Sequence, residues 1–172
     1  NTYAPVEYLR RIFTEAIEEP DVVALSIATR CDCLPPDVLD LLDELNRRKP
    51  VWIELGLQTI LDKTLHAIRS GFTLSQFEQA VSDLHKRNIP VITHLILGLP
   101  GETKEDMLSS VRYVGSLPVT GIKLQLLHIL KGTDLGTAYM ADPFPLFTLE
   151  EYCDLIADCI ALLPPEIVIH RL

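Results

Sequence analysis

Apolar residues follow two different rhythms that alternate along the chain. In one, they recur every three or four positions, as at Leu9, Ile12 and Ala16, which is typical of an amphipathic helix. In the other, short aliphatic runs such as Val91–Leu97 lie between proline and glycine residues, which is typical of strands. Helices are predicted at residues 6–19, from 35 to just before the proline at 50, and at 61–68, 75–86, 103–117 and 148–163. Strands are predicted at 22–30, 51–59, 91–97, 122–130 and 167–171.

Three helix starts carry capping signals. Ser75 with Glu78, and Thr148 with Glu151, have the spacing of a capping box, and Thr103 is a predicted N-cap. The connection from 131 to 147 holds glycines and prolines and no predicted element. Because strands alternate with helices, we expect a parallel sheet with helices packed on it.

Each central strand has one apolar and one polar face. In the second strand, alternate residues from 51 to 57 are all aliphatic, whereas Glu54, Gly56 and Gln58 lie on the other face. His94 in the third strand and Lys123 in the fourth also lie opposite aliphatic residues. Parallel strands covered on both faces are normally apolar throughout. One face of this sheet is therefore expected to line a lumen.

The pattern predicts an α/β fold, a partial (βα) barrel of the TIM-barrel type with about five parallel strands. The alternative is an open, doubly wound sheet with helices on both faces, which would bury Glu54, Gln58, His94 and Lys123 beneath a helix layer. Functional groups of βα barrels lie at the carboxyl ends of the strands.

Composition narrows the possible classes of protein. The chain has 172 residues, 48 % of them hydrophobic, which suits one globular domain. Its net charge is −9, from 15 Lys and Arg against 24 Asp and Glu, so nucleic acid is an unexpected partner, although a local basic groove and tRNA are not excluded. No segment is apolar enough for a membrane helix. With no signal-peptide pattern and only four cysteines, a cytoplasmic location is expected.

Two segments are candidates for binding. Gly56 within a strand suggests close approach of a ligand, with Glu54 and Gln58 on either side of it. The alternative is a buried, hydrogen-bonded pair without a ligand. The run Leu97–Thr103 joins a strand to a helix through two glycines, so it could hold an anion at the helix start or simply form a turn.

The cysteines do not have the spacing of a metal site. Cys31 and Cys33 form C-x-C, Cys153 and Cys159 face different sides of a helix, and C-x3-C-x2-C is absent. Structural thiols are the simplest interpretation. A metal held by His94 and Cys31, in an unrelated βα-barrel metalloenzyme, is kept as an alternative.

Several segments, in this order and spacing, resemble the radical S-adenosylmethionine (SAM) superfamily over nearly the whole chain. The greatest similarity is to its uncharacterised bacterial Fe–S oxidoreductase branch, related to elongator-type and oxygen-independent coproporphyrinogen oxidase enzymes. The segments are Asn1–Pro5, Ile27–Pro35, Glu54–Thr59, His94–Thr103, Gly121–His128 and Lys131–Thr133.

The resemblance implies a partial (βα)6 barrel and two cofactors. The family binds a [4Fe-4S] cluster by C-x3-C-x2-C, and reductive cleavage of SAM at this cluster gives a 5′-deoxyadenosyl radical that abstracts hydrogen from a substrate. By resemblance, Gln58 contacts the ribose of SAM, while Ile96 and Gly98 lie near its adenine. His94 faces the lumen, and Glu54 lies deeper, toward an unknown substrate.

Arg30, on the polar face of the first strand, completes the cofactor-binding set that the resemblance implies. The sequence departs from the family at the run after the Gln58 strand. Relatives carry Asn-Arg-Gly-His there, whose arginine holds the SAM carboxylate, and here the run reads Arg69-Ser70-Gly71-Phe72. Cys31 replaces a usual proline, and Gln125 stands where histidine is frequent.

Because the cluster motif and the first strands are missing, residues 1–172 are expected to be the C-terminal portion of a radical SAM partial barrel domain that lacks its N-terminal cluster-binding part. Such a chain should be inert alone as an Fe–S oxidoreductase. A degenerate barrel acting as a binding or interaction module is the alternative. An open barrel exposes a strand edge, here Val22–Arg30, through which we expect self-association.

Overall fold

A computed structural model describes all 172 residues. Strands and helices alternate as the periodicity predicts. The helices are α1 (Val6–Glu18), α2 (Pro36–Asn46), α3 (Asp62–Ala67), α4 (Leu74–Lys86), α5 (Lys104–Gly115), α6 (Asp134–Ala141) and α7 (Leu149–Leu162). The strands are β1 (Leu25–Thr29), β2 (Val51–Gln58), β3 (Val91–Leu97), β4 (Gly121–Leu126) and β5 (Val168–Arg171). A 3-10 turn over Cys31–Cys33 follows β1.

The five strands form one parallel sheet in the order β1-β2-β3-β4-β5, which confirms the predicted α/β class with five parallel strands. Since each strand lies beside the next one in sequence, every helical crossover packs on the same side. The carboxyl ends of all strands consequently meet at one edge of the sheet.

The hydrophobic core lies on one side of the sheet only. Ile53, Leu55 and Leu57 are completely buried there, within a cluster of 35 buried residues that joins the strands to the helices. The alternate residues of β2 are only half-buried, so no helix layer covers their side. This second side is called the polar face below. It carries Ser26, Ala28, Trp52, Glu54, Gly56, Gln58, Ile92, His94, Ile96, Lys123 and Gln125, of which Ile92 alone is buried.

The capping box of α4 differs from the predicted one. Thr73 Oγ1 accepts the Gln76 N–H at 3.2 Å, and the Gln76 side chain accepts the Thr73 N–H at 2.8 Å, so Ser75 and Glu78 lie inside the helix. Thr73 with Gln76 and Ser75 with Glu78 have the same spacing and overlap in sequence. The pair that begins at Thr73, just after the turn at Gly71, forms the cap. The caps at Thr103 and Thr148 are confirmed.

The segment after β4 also differs from its prediction. β4 ends at Leu126 rather than at 130, because the His128 imidazole donates to the Leu126 carbonyl at 2.8 Å and turns the chain away. Helix α6 follows in the connection for which no element was predicted. Its cap is Thr133, whose hydroxyl accepts the Gly136 N–H at 3.0 Å. None of the seven helices is both long and apolar enough to cross a bilayer.

The outer edge of β1 is unpaired, and Val23 beside it is 81 % exposed. We predict concentration-dependent self-association through this edge, because unpaired backbone groups beside an apolar side chain can bind a second strand. Val23→Lys should shift sedimentation toward the monomer. Val168→Lys, at the opposite edge, should not, and a wild-type chain that stays monomeric at every concentration would contradict the prediction.

Candidate functional site

Glu54 is the centre of a hydrogen-bonded network that crosses four strands of the polar face. Its Oε2 accepts from His94 Nε2 at 3.0 Å and from Lys123 Nζ at 2.5 Å, and its Oε1 accepts from Ser26 Oγ at 3.0 Å. Gln125 Nε2 extends the network to His94 Nδ1 at 3.2 Å. The parallel register brings these groups together, since His94 lies opposite Lys123. Glu54 thus pairs with other strands and not with Gln58.

The hydrogen bonds fix the protonation of this network. An amide nitrogen can only donate, so His94 Nδ1 must accept from Gln125, and the neutral imidazole then donates its Nε2 proton to Glu54. Burial, together with the positive charge of Lys123, lowers the pKa of His94. Burial opposes ionisation of Glu54, but hydrogen bonds from Lys123 and Ser26 outweigh it and lower the pKa of that carboxyl group.

Gln58 has an unusual backbone at the carboxyl end of β2. Its φ is +73°, in the left-handed region that side chains rarely adopt, and the β2–β3 register shifts between Gly56 and Gln58. The side chain folds back over Gly56, where an added Cβ would lie 2.7 Å from Gln58 Nε2. Gly56 is therefore needed for this conformation. Strain of this kind is held in place by the surrounding structure and is frequent at functional sites.

The carboxyl end of β3 lies next to Gln58. Ile96 is half-buried on the polar face, and Gly98 has a φ of +89° that suits glycine. The ring of Phe147 lies 3.2 Å from the position of a Gly98 Cβ, so it packs directly on that glycine. A cavity of about 130 Å³ opens here, lined by Gly98, Leu126, Leu127, His128, Leu146 and Phe147. Sequence reasoning missed Phe147, because no element was predicted in its connection.

A hydrogen bond that the sequence analysis did not predict fixes the turn after β3. Thr59 is fully buried, and its hydroxyl donates to Glu102 Oε1 at 2.6 Å. Burial raises the pKa of Glu102. The Thr59–Glu102 hydrogen bond attaches the turn Leu99–Thr103 to the end of β2. It therefore fixes the position of Gly98 relative to Gln58.

Arg30 and Arg69 lie outside the Glu54 network. Arg30 Nε donates to Asp32 Oδ1 at 2.9 Å, and its guanidinium packs on Gly71, where a Cβ would lie 3.3 Å from Nη2. Arg69 is 81 % exposed and its Nη1 pairs with Asp134 Oδ2 at 2.9 Å, which joins the loop after α3 to α6. Both arginines thus occupy the rim of the sheet.

The cysteines are not arranged to hold a metal. Cys31, Cys33 and Cys159 are buried, Cys153 is exposed, and all four are unpaired. Burial raises the pKa of Cys31 to about 12 and that of Cys159 to about 11, so these thiols stay protonated at neutral pH. No group of three His, Cys, Asp or Glu side chains could bind a metal, and the structure gives no support to a His94 and Cys31 site.

A groove much larger than the Gly98 cavity lies elsewhere. It has a volume of about 890 Å³, runs between α3 and α4 on the outer surface, and includes His66, Arg69 and Thr73. None of the candidate residues of the polar face lines it.

We predict that Glu54→Gln lowers the free energy of unfolding by about 1–3 kcal/mol, because Lys123 loses its counter-charge in a half-buried site. In a Lys123→Met background the same change should cost clearly less. Urea unfolding measures both. Glu44→Gln, which breaks the exposed pair with Arg10, is the matched control and should change stability by less than about 1 kcal/mol. Equal costs in both backgrounds would show that Glu54 and Lys123 are not coupled.

The lowered pKa of His94 predicts a pH effect with a definite sign. The unfolded chain takes up this proton more readily than the folded one, so His94 lowers stability as the pH falls from about 7.5 to 5.5. His94→Gln keeps a donor for Glu54 and removes the titration. Urea unfolding at the two pH values should show a smaller loss in the variant. An unchanged loss would assign the pH dependence to other groups.

Comparisons with known proteins match the chain from end to end. The family model of the radical SAM superfamily matches residues 1–114, and that of the radical SAM C-terminal domain matches residues 119–172. The uncharacterized protein YtqA of Bacillus subtilis is 42 % identical over 172 residues, which are all of this chain and 53 % of YtqA. Protein YhcC of Escherichia coli K12 is 39 % identical, over 56 % of its length. The chain thus spans about half the length of these curated relatives.

Solved structures show the same fold. The archaeal Elp3 of Methanocaldococcus infernus superposes with a TM-score of 0.82 at 20 % identity, over 98 % of this chain and 44 % of that one. The radical SAM methyltransferase TsrM of Kitasatospora setae, with tryptophan and a SAM analogue bound, gives 0.71 at 17 % identity, over 94 % and 42 %. Because the superfamily model matches residues 1–114 and the C-terminal domain model matches residues 119–172, this chain belongs to the radical SAM superfamily.

Proposed function

We propose that this chain is the C-terminal part of a radical SAM enzyme and that its polar face holds the nucleoside of SAM. The observation that carries the proposal is the strained Gln58, folded over Gly56 with no hydrogen-bond partner for its side chain in the protein, beside Gly98, whose φ of +89° turns the chain at the end of β3. A half-buried amide held in this way is ready to bind the hydroxyl groups of a ligand.

The residues present fit the nucleoside of SAM. Gln58 offers an amide for the ribose, Ile96 offers apolar surface for adenine, and Gly98 lines a cavity of about 130 Å³ at the end of β3. When bound, SAM in this superfamily supplies an organic radical that abstracts hydrogen from the substrate. The chain's own residues bind and orient the nucleoside, and Arg30 belongs to the proposed set because it lies at the same carboxyl edge.

Glu54 and His94 are proposed to face the substrate rather than the nucleoside. Glu54 lies four residues before Gln58 along β2, about 13 Å away at the usual rise of a strand. Its carboxylate holds Lys123 and the Nε2 proton of His94 in place, so the charges and donors here are fixed before a ligand arrives. Polar groups that are held in place before binding can orient a substrate without first rearranging.

The [4Fe-4S] cluster does not fit this chain. Three of the four cysteine thiols of this chain are buried, and burial strongly raises the pKa of two of them, Cys31 and Cys159. We therefore assign no step through a cluster to these residues. We propose that the cluster ligands lie in a part of the protein outside residues 1–172, and that this chain alone does not cleave SAM.

One observation favours the second candidate, a degenerate barrel acting as a binding module. The arginine of the run Arg69–Phe72 is exposed and paired with Asp134 on the rim. Its guanidinium group is therefore paired outside the polar face and does not contact the proposed nucleoside site. If the module hypothesis holds, SAM and its analogues will not bind to the polar face at all.

The test uses S-adenosylhomocysteine, which keeps the nucleoside and lacks the reactive sulfonium. We predict that Gln58→Gly weakens its binding to the 172-residue chain by about tenfold in calorimetric titrations, the equivalent of about 1.4 kcal/mol. The variant should be at least as stable as the wild type, because glycine removes the strain at a positive φ.

The matched control is Asn88→Gly, which replaces another residue of positive φ, at +54°, beyond the end of α4. It should leave the affinity unchanged. Equal affinity of both variants and the wild type would remove Gln58 from the nucleoside site. No binding by the wild type would favour the interaction module.

A further inference from the structure

The middle of β4 and the end of β5 bring three nitrogen-bearing side chains together on the polar face. Lys123 on β4 lies opposite Arg171 on β5, and the register between the two strands shifts at this point. His170 is the extra residue of this bulge, and its ring lies 2.6 Å from where a Cβ of Gly121 would be. The register thus sets Arg171 beside Lys123, close enough for its charge to act on His94, and the bulge leaves the His170 ring against Gly121, two residues before Lys123.

The cations here are only partly neutralised. Lys123 Nζ makes one hydrogen bond, to Glu54, and two of its three N–H groups are unused. Arg171 has no carboxylate within 4.0 Å. Glu54 already accepts from three side chains, so it does not neutralise Arg171 as well.

This local charge is opposite to that of the whole protein. The chain carries a net charge of −9, yet this end of the polar face presents Lys123 and Arg171 against the single carboxylate of Glu54. Lys123 is 21 % exposed and held in place by that carboxylate. A fixed, half-buried ammonium group with free donors is costly unless it meets an acceptor, and water or an oxyanion can supply one.

We propose that Lys123, Arg171 and His170 bind an oxyanion, a carboxylate or a phosphate, carried by the substrate. The proposal rests on the proposed function, since it places the substrate on the face that holds the SAM nucleoside. The oxyanion lies at the level of Glu54, about 13 Å from Gln58 along the sheet. Glu54 is a positioning residue, which holds Lys123 without contacting the anion.

The test titrates the 172-residue chain with sodium acetate in one arm and inorganic phosphate in the other, at constant ionic strength and pH, and follows the imidazole signals of His94 by NMR. We expect a saturable shift in at least one arm, and the arm with the tighter binding identifies the group as carboxylate or phosphate. The absence of a saturable shift in both arms would overturn the proposal.

The variants make the assignment specific. Arg171→Gln changes an exposed residue and cannot unfold the core, and we expect it to weaken anion binding by about fivefold or more, as should Lys123→Gln. Lys131→Gln, in the exposed loop after β4, is the matched control and should bind as the wild type does. An equal loss of anion affinity in the Lys131 variant would show that only the overall charge of the protein matters, and it would overturn the proposed site.

Failure of this proposal is distinguishable from failure of the proposed function. Lys123→Gln and Arg171→Gln should leave the affinity for S-adenosylhomocysteine unchanged, while Gln58→Gly should leave anion binding unchanged. If S-adenosylhomocysteine binds and the oxyanions do not, only the anion site is wrong. If S-adenosylhomocysteine loses affinity in the Lys123 and Arg171 variants, these residues serve the SAM carboxylate and the substrate assignment is wrong.

Discussion

The structure depends on packing all helices against one face of a parallel sheet. Ile53, Leu55 and Leu57 are buried completely on that side, and the core cluster of 35 residues lies behind them. Burial of this apolar area supplies most of the stability. Because it occupies only one face, the other is free to carry groups that a two-sided sheet could not tolerate. The separation of the faces is thus what leaves the chain with an uncovered polar surface.

The polar face stays folded because its polar groups bind one another. Glu54 accepts hydrogen bonds from β1, β3 and β4, which compensates a half-buried carboxylate and ties neighbouring strands together. At the carboxyl edge the structure instead keeps a strained residue, Gln58. A glycine there would relieve the strain, so the backbone of Gln58 lowers stability rather than adding to it. Buried apolar residues and half-buried polar residues therefore alternate along a single strand, β2.

The sequence predicts the strands, their parallel order and the two faces well, because period-two alternation and proline and glycine boundaries are local signals. It fails where the outcome depends on tertiary contacts. The choice between Thr73 and Ser75 as a cap is decided by the loop before α4, and α6 forms although Gly136 interrupts its pattern. The pairing of Glu54 with Lys123 depends on register, and the positive φ of Gln58 depends on the bulge. Neither the Glu54–Lys123 pair nor the backbone conformation of Gln58 can be predicted from residue spacing.

The central claim is that the carboxyl ends of β2 and β3, on the polar face, form the nucleoside site of a radical SAM barrel. Mapping the backbone amide shifts of the chain as S-adenosylhomocysteine is added tests it most directly. The account predicts shifts concentrated at Gly56–Gln58 and Ile96–Gly98. Shifts confined to the groove between α3 and α4, with none at the ends of these strands, would contradict it.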